Sequence, residues 1–101
     1  MPSKYFDRKK YDTDEAKEVA EWDNGYHRGD SLWVDEKLMR MPDERWFLHG
    51  EGGFRTKYAK RAGLNSWYMV GDAITPLTDE EARDWAEEHL DGDEVDRIFG
   101  L

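Results

Sequence analysis

Cysteine is absent from the 101 residues of this chain. A disulfide-stapled secreted scaffold, a zinc–thiolate site and a cysteine nucleophile are therefore excluded. Long apolar runs are also missing, and no segment approaches the roughly 20 apolar residues that a membrane-spanning helix needs. The start, MPSKYFDRKK, lacks the apolar core of a signal peptide. We therefore expect a soluble, cytoplasmic protein with no membrane contact.

Apolar residues are few but large. Hydrophobic residues make up 38% of the chain and charged residues 39%, a balance that is typical of disordered segments. The chain nevertheless has five Trp, five Tyr and four Phe, and each buried ring removes a large apolar area from water. We expect one domain, residues 1–101, with a modest core built mainly from aromatic side chains.

The net charge of −9 is concentrated at one end of the chain. Residues 72–101 hold eleven acids against two arginines, whereas residues 1–71 are balanced at 13 acids and 13 bases. A block of this kind repels a phosphate backbone and attracts a basic surface. The charge pattern therefore favours a partner protein with a basic surface and disfavours direct nucleic-acid binding.

Residues 12–25, DTDEAKEVAEWDNG, have the pattern of an N-terminal helix. Asp12 followed by Glu15 resembles a capping box, and acids crowd the first turn, where the helix dipole favours them. Asn24–Gly25 is a typical helix end. The apolar stripe of this predicted helix consists of Ala16, Val19 and Ala20.

Residues 78–90, TDEEARDWAEEHL, predict a C-terminal amphipathic helix. Thr78 and Glu81 form a capping-box pattern before apolar residues that recur at i, i+3, i+4 and i+8: Ala82, Trp85, Ala86 and Leu90. A last short helix, DEVDRIFG, is expected to begin at a cap formed by Asp91 or Asp93. It turns three apolar residues inward: Val95, Ile98 and Phe99.

A β-hairpin is predicted at about residues 31–49. The run SLWVDEKLMRM alternates between two faces, Pro42-Asp43-Glu44 supplies turn residues, and RWFLHG resumes an extended run. KYFDRKKY, residues 4–11, forms either one short strand or a turn between two very short ones. Residues 73–77 form one more short strand, in which Pro76 stops the pairing.

The glycine-rich stretch FLHGEGGFRTKYAKRAG, residues 47–63, is interpreted as a strand that turns into a helix. Gly50, Gly52 and Gly53 break the strand by adopting positive φ, and TKYAKRAG forms a short middle helix that ends at Gly63. A Walker loop is excluded, because no lysine–hydroxyl pair follows the last glycine. The predicted fold class is α+β, a small antiparallel sheet of about two to four strands with the N-terminal, middle and C-terminal helices packed on one face.

Three sets of polar residues are candidate sites. The first is the acids of the C-terminal helices, which would bind a basic partner: Asp84, Glu87, Glu88, Asp91 and Asp93. The second is a basic strip, which could bind single-stranded nucleic acid by phosphate contacts and stacking: Arg55, Lys57, Lys60, Arg61 and Trp67. The third is a small hydrolase or metal centre around His49, Glu51 and Asp30. No cofactor, metal or catalytic residue is assigned, because nothing in the spacing fixes a third ligand or a catalytic pair.

Three blocks of sequence span nearly the whole chain: KYDTDEAKEVAEWDNG, RWFLHGEGGFRTKYAK and ITPLTDEEARDWAEEHLDGDEVDRIFG. They resemble a family of small acidic proteins of unknown function that bacterial phages and other mobile elements carry. The resemblance implies a compact protein in a bacterial host cell that binds host machinery, including defence nucleases. Charge and resemblance together favour a non-enzymatic inhibitor of the anti-CRISPR or anti-restriction kind. A nucleic-acid-associated regulator and a small hydrolase or metal protein are the alternatives.

Overall fold

The computed structural model describes residues 3–62 and 67–100. This part of the chain is mostly β, with eight strands followed by two helices. The strands are β1 (Ser3–Phe6), β2 (Lys9–Asp12), β3 (Lys17–Asp23), β4 (Val34–Arg40), β5 (Trp46–Gly52), β6 (Lys60–Ala62), β7 (Trp67–Met69) and β8 (Gly71–Leu77), and the helices are α1 (Asp79–His89) and α2 (Gly92–Phe99). The predicted α+β fold with an N-terminal and a middle helix is therefore wrong. The C-terminal amphipathic helix is confirmed as α1.

Four antiparallel strands form the main sheet, in the order β3-β4-β5-β8. β4 and β5 are the predicted hairpin, which is confirmed, and their register runs from Arg40 opposite Trp46 to Val34 opposite Gly52. The prediction that Pro76 ends a strand is wrong, since it pairs with β5 inside β8. Proline is tolerated there because β8 is an edge strand of this sheet.

The residues predicted to form the N-terminal helix contain β3 instead. The Asp12 carboxylate accepts a hydrogen bond from the Asp14 amide at 2.8 Å, which closes a turn, and Lys17–Asp23 then pairs with β4. Ala20 and Trp22, two residues apart, both pack into the core under the helices, as expected for alternation in a strand. Pairing with β4 and burial of these side chains outweigh the local capping and propensity signals.

A small hairpin covers the face of the main sheet that is opposite the helices. Asp7 and Arg8 form its two-residue turn with positive φ values of 54° and 67°, which suits the twist of the flanking strands. Of the two alternatives for KYFDRKKY, the pair of short strands is confirmed. The Tyr11 ring packs edge-on between the rings of Phe6 and Phe47. Both faces of the sheet are therefore covered, which differs from the predicted one-sided packing.

α1 and α2 cover the other face of the sheet. Thr78 Oγ1 accepts from the Glu81 amide at 3.1 Å and Glu81 Oε1 accepts from the Thr78 amide at 2.9 Å, so the predicted capping box is confirmed. Asp91 caps α2 by accepting from the Asp93 amide at 3.2 Å. The buried side of α1 consists of Ala82, Trp85 and Ala86. Neither of these helices is long and apolar enough to cross a membrane.

The predicted middle helix is absent. Residues 54–59 form turns, and residues 60–62 form β6, which pairs with β7. Gly63, the predicted end of that helix, lies outside the described residues. The segment folds back over the main sheet as a loop, which we call the return loop (residues 54–59), instead of continuing away from it.

The glycines before the return loop serve close packing. Gly50 and Gly52 lie inside β5, and neither they nor Gly53 have the predicted positive φ. A Cβ atom on Gly50 would overlap the ring of Tyr58, and one on Gly52 would overlap the hydroxyl of Thr56. Glycine is required at these positions because the return loop lies directly on the strand.

Candidate functional site

Five acids of the C-terminal helices form one exposed surface, which we call the acidic face: Asp84, Glu87, Glu88, Asp91 and Asp93. All five side chains are exposed. Glu87 and Glu88 each lie about one turn after Asp84, on the side of α1 that faces away from the sheet. Asp91 and Asp93 continue this surface at the start of α2. The first set of predicted site residues is therefore exposed on the two C-terminal helices.

Most of the charge on the acidic face has no ion partner. Within residues 3–62 and 67–100, only Glu87 of this face forms an ion pair, with 2.9 Å between its Oε2 and Arg83 Nε. Both side chains of the pair are largely exposed, so it contributes only about 0.5 kcal/mol. The other four carboxylates face water without a compensating cation.

The two lysines of the basic segment, residues 55–61, pair with acids that do not belong to the acidic face. Lys57 Nζ lies 3.1 Å from Oε2 of Glu36, and Lys60 Nζ lies 2.9 Å from Oδ1 of Asp72. These lysines therefore compensate acids on the main sheet. The hydrogen bond from Lys60, more than the opposing effect of burial, holds the pKa of Asp72 below its ordinary value.

The second predicted site, the basic strip, does not line one side of a helix. Arg55 and Lys57 lie in turns of the return loop, and Lys60 and Arg61 are neighbours in β6. Neighbouring side chains in a strand point to opposite faces, so Lys60 and Arg61 do not share a surface. The side chain of Trp67 lies outside the described part of the structure.

A buried carboxylate, Glu36, lies in β4 on the side of the sheet that α1 covers. Only 2% of this residue is exposed. Tyr58 donates its hydroxyl hydrogen to Oε2, and Trp85 Nε1 donates to Oε1 at 2.9 Å. Lys57 Nζ lies 3.1 Å from Oε2, and His89 Nε2 lies 3.9 Å from Oε1. Glu36 thus ties α1 and the return loop to the main sheet.

Hydrogen bonding keeps Glu36 ionised. Burial alone would raise its pKa, but the hydrogen bonds from Tyr58, Trp85 and Lys57 outweigh burial and hold the pKa of Glu36 below its ordinary value. Burial and the adjacent carboxylate raise the pKa of the Tyr58 hydroxyl well above its ordinary value. The tyrosine therefore remains a donor. Because both oxygens of Glu36 accept hydrogen bonds from the protein itself, the group acts as an anchor for these segments.

A cleft of about 480 Å³ lies over Glu36. Its aromatic walls are Trp22, Trp85 and His89, with the imidazole 4.0 Å from the Trp22 ring and 5.3 Å from the Trp85 ring between centroids. Glu88, a member of the acidic face, also lines this cleft. The cleft and the acidic face therefore adjoin.

Sequence reasoning does not single out Glu36. The alternation in SLWVDEKLMRM places it on the same face as Val34 and Leu38, between these two apolar residues. A carboxylate between apolar residues of one strand face is the signal that could have identified it, because a buried charge requires hydrogen-bond donors from elsewhere in the fold. The sequence does not reveal that Tyr58 and Trp85 are those donors.

The residues of the third predicted site do not converge. His49 Nε2 lies 3.2 Å from Oδ2 of Asp72, and Glu51 Oε2 lies 3.6 Å from Nη2 of Arg28. Asp30 accepts a hydrogen bond from the backbone two residues further along, at 2.8 Å. In the part of the chain that the structure describes, no group of three or more His, Asp or Glu side chains could hold a metal ion.

Asp35, on the opposite side of the sheet from Glu36, gives a test by pH. Burial raises its pKa to about 6, and a hydrogen bond and charge repulsion from Glu21 add to the increase. This pKa lies above the value of about 4 in the unfolded chain. Between about pH 4 and pH 6 the folded protein therefore binds more protons than the unfolded chain, and its stability falls as the pH rises through that range. We expect Asp35→Asn to raise the free energy of unfolding by about 1 kcal/mol at about pH 8, allowing for solvent screening, and to change it little near pH 4.

Urea unfolding of both proteins at the two pH values measures this effect. Asp14→Asn is the matched control, because Asp14 is exposed in the turn before β3. The control should leave the free energy of unfolding unchanged at both pH values. A stabilisation by Asp35→Asn that is the same at pH 4 and pH 8 would contradict the explanation.

Two features on the helix side of the molecule could recognise a partner: the acidic face and the cleft that adjoins it. The anchor at Glu36 holds both in place, since its donors come from α1 and from the return loop. No family model, curated protein or solved structure matches the chain.

Proposed function

We propose that the protein is a small non-enzymatic binding protein whose acidic face engages a basic surface of a host protein. One observation supports this proposal above others. Four of the five carboxylates of the acidic face have no ion partner within the described residues, and the lysines of the basic segment pair with acids on the main sheet. Uncompensated like charges oppose folding, and a cationic partner would relieve that repulsion.

A groove lined by Arg and Lys is the target that fits this surface. Such grooves hold DNA or RNA in nucleases by contacts with the phosphates. Carboxylates spaced along a helix can occupy the same cations and so exclude the nucleic acid. The resemblance to mobile-element proteins suggests a CRISPR or restriction nuclease, and the protein would then act as its inhibitor.

The acidic face is held in its binding geometry before the partner arrives. The capping box fixes the start of α1, and the hydrogen bond from Trp85 Nε1 to Glu36 fixes its last turns on the sheet. Asp91 fixes the start of α2. A surface on ordered helices loses little conformational entropy on binding, which increases affinity.

Charge reversal on α1 tests the proposal. Asp84 and Glu88 are exposed, cap no helix and form no ion pair within the described residues. In a panel of purified CRISPR and restriction nucleases, the wild-type protein should inhibit DNA cleavage by at least one. We expect the double variant Asp84→Lys/Glu88→Lys to weaken that inhibition about tenfold or more, because it replaces attraction with repulsion.

Binding of the wild-type protein to the inhibited nuclease should weaken as the salt concentration rises from about 50 to 300 mM.

The matched control is Asp14→Lys/Glu15→Lys, which changes the net charge equally but lies in the turn between β2 and β3. It should inhibit as the wild-type protein does. An equal loss of inhibition in both double variants would show that only net charge matters. That result would contradict binding through the acidic face. Absence of both inhibition and salt-sensitive binding across the panel would reject the nuclease as the target class.

A further inference from the structure

A second pocket, of opposite charge, lies where α2 meets β3 and β4. Its volume is about 300 Å³, and three of the side chains that line it are cations: Lys17, Arg40 and Arg97. Trp46 and Ile98 form its apolar part. We call it the cationic pocket. Three cations around one cavity are unexpected in a protein with a net charge of −9, in which acids outnumber bases.

A β-bulge in β3 brings two of these cations together. The register with β4 shifts between Glu18 and Ala20, so β3 has one extra residue there. Because of the shift, Lys17 lies directly opposite Arg40 and on the same face of the sheet as Ala20. Like charges directly opposite each other in adjacent strands repel and destabilise the sheet.

Arg40 has a hydrogen-bonding group that the described residues do not satisfy. Its guanidinium carbon lies over the Trp46 ring, 4.5 Å from the ring centre, in a cation–π contact. Nη2 lies 3.8 Å from Oε1 of Glu44, which is too long for a hydrogen bond. Nε is buried and has no partner within residues 3–62 and 67–100. A buried charged donor without an acceptor among these residues is costly, so an acceptor supplied by a ligand would be favourable here.

The other two cations of the pocket are also available. Lys17 and Arg97 are exposed, and neither forms an ion pair within the described parts of the chain. Glu18 also lines the cavity, but its carboxylate lies 4.0 Å from Lys37 Nζ, on the other side of the sheet. Glu18 therefore does not balance the positive charge of the cationic pocket, and Glu44 offsets only the charge of Arg40.

We propose that the cationic pocket binds a doubly charged oxyanion, best matched by a phosphate group. Arg40 Nε–H is the buried donor to one oxygen, and the planar guanidinium can present a second N–H to another. Lys17 and Arg97 supply the charge around the remaining oxygens. The site is separate from the acidic face and uses none of its residues, so either proposal can fail without the other.

A titration with inorganic phosphate tests the site. The full-length protein is labelled with ¹⁵N, and the Arg40 Nε–Hε resonance is followed by NMR at constant ionic strength, with sodium chloride replaced by phosphate. We expect a saturable shift of this resonance. Lys17→Gln and Arg97→Gln should each weaken phosphate binding about tenfold, the loss expected for one charge-assisted contact.

Arg83→Gln is the matched control, because Arg83 is an exposed helical arginine that pairs with Glu87 and does not line the pocket. It should bind phosphate as the wild-type protein does. Sulfate should compete with phosphate, whereas acetate should bind more weakly. A shift that chloride reproduces, a shift that both pocket variants retain in full, or tighter binding of acetate than of phosphate would each overturn the proposal.

Discussion

Glu36→Ala is expected to lower the free energy of unfolding by about 4 kcal/mol. The substitution leaves the Tyr58 hydroxyl and the Trp85 indole without their acceptor in a buried place. It also removes the charge that pairs with Lys57. Chemical unfolding in urea, followed by tryptophan fluorescence, measures the change.

Glu36→Gln separates the loss of charge from the loss of an acceptor. The amide oxygen can still accept one of the two hydrogen bonds, so we expect a smaller loss of about 2 kcal/mol at neutral pH. The folded-state pKa of Glu36 is lowered, so its contribution is fully present above the unfolded pKa of about 4.3 and is lost as the pH falls through the folded value. The gap between wild type and Glu36→Gln should therefore shrink in acid. A gap that stays constant with pH, or a loss below about 1 kcal/mol for Glu36→Ala, would contradict the role of this carboxylate.

Gly50→Ala is expected to cost about 2–3 kcal/mol, although alanine is ordinarily tolerated better than glycine in a strand. The added methyl group would overlap the ring of Tyr58, which lies over this glycine and reaches Glu36. Either the return loop moves away or the strand bends, and both changes disturb the hydrogen bond to Glu36. The midpoint of urea unfolding reports the loss.

A double-mutant cycle shows whether the clash with Tyr58 is the cause. In a Tyr58→Ala background the methyl group has room, so Gly50→Ala should then cost less than about 0.5 kcal/mol. Gly92→Ala is the matched control, because a Cβ atom there meets nothing within 4 Å and the residue begins a helix. It should be neutral or slightly stabilising. Additive losses in the cycle would show that Gly50 is required for another reason.

The parts of the fold that local chemistry determines could be predicted from the sequence. The capping box at Thr78 and Glu81 and the apolar spacing after it specify α1 without help from the rest of the chain. The hairpin of β4 and β5 follows from alternation in both runs and a turn between them. In each case the signal and the structure lie within about 20 residues of each other.

Tertiary contacts decide the parts that could not be predicted. Residues 12–25 have acids and alanines in a helical order, yet Lys17–Asp23 is a strand because β4 supplies its hydrogen bonds and Ala20 and Trp22 pack under the helices. The predicted positive φ of the glycines in β5 is wrong, because a sequence does not show that a distant ring will lie on a strand. The prediction of a middle helix is wrong for the same reason. Tyr58 packs on Gly50, and this contact holds residues 54–59 in a loop.

The candidate sites divide in the same way. Exposure of the α1 part of the acidic face follows from helical periodicity around Ala82, Trp85 and Ala86, so it could be predicted from the sequence. Glu36 and the cationic pocket could not be predicted. The first needs donors from two remote segments, and the second depends on a bulge that moves Lys17 to the other face of its strand.

The separation in sequence between Glu36 and its hydrogen-bond donors also bears on the order of folding. Its two neutral donors lie 22 and 49 residues further along the chain, so neither can arrive through local collapse. Closing loops of that length is slow relative to forming a hairpin or a helix. Glu36 therefore stays hydrated until β4, the return loop and α1 have met, and expulsion of water from around it belongs to the final step in which the native state forms.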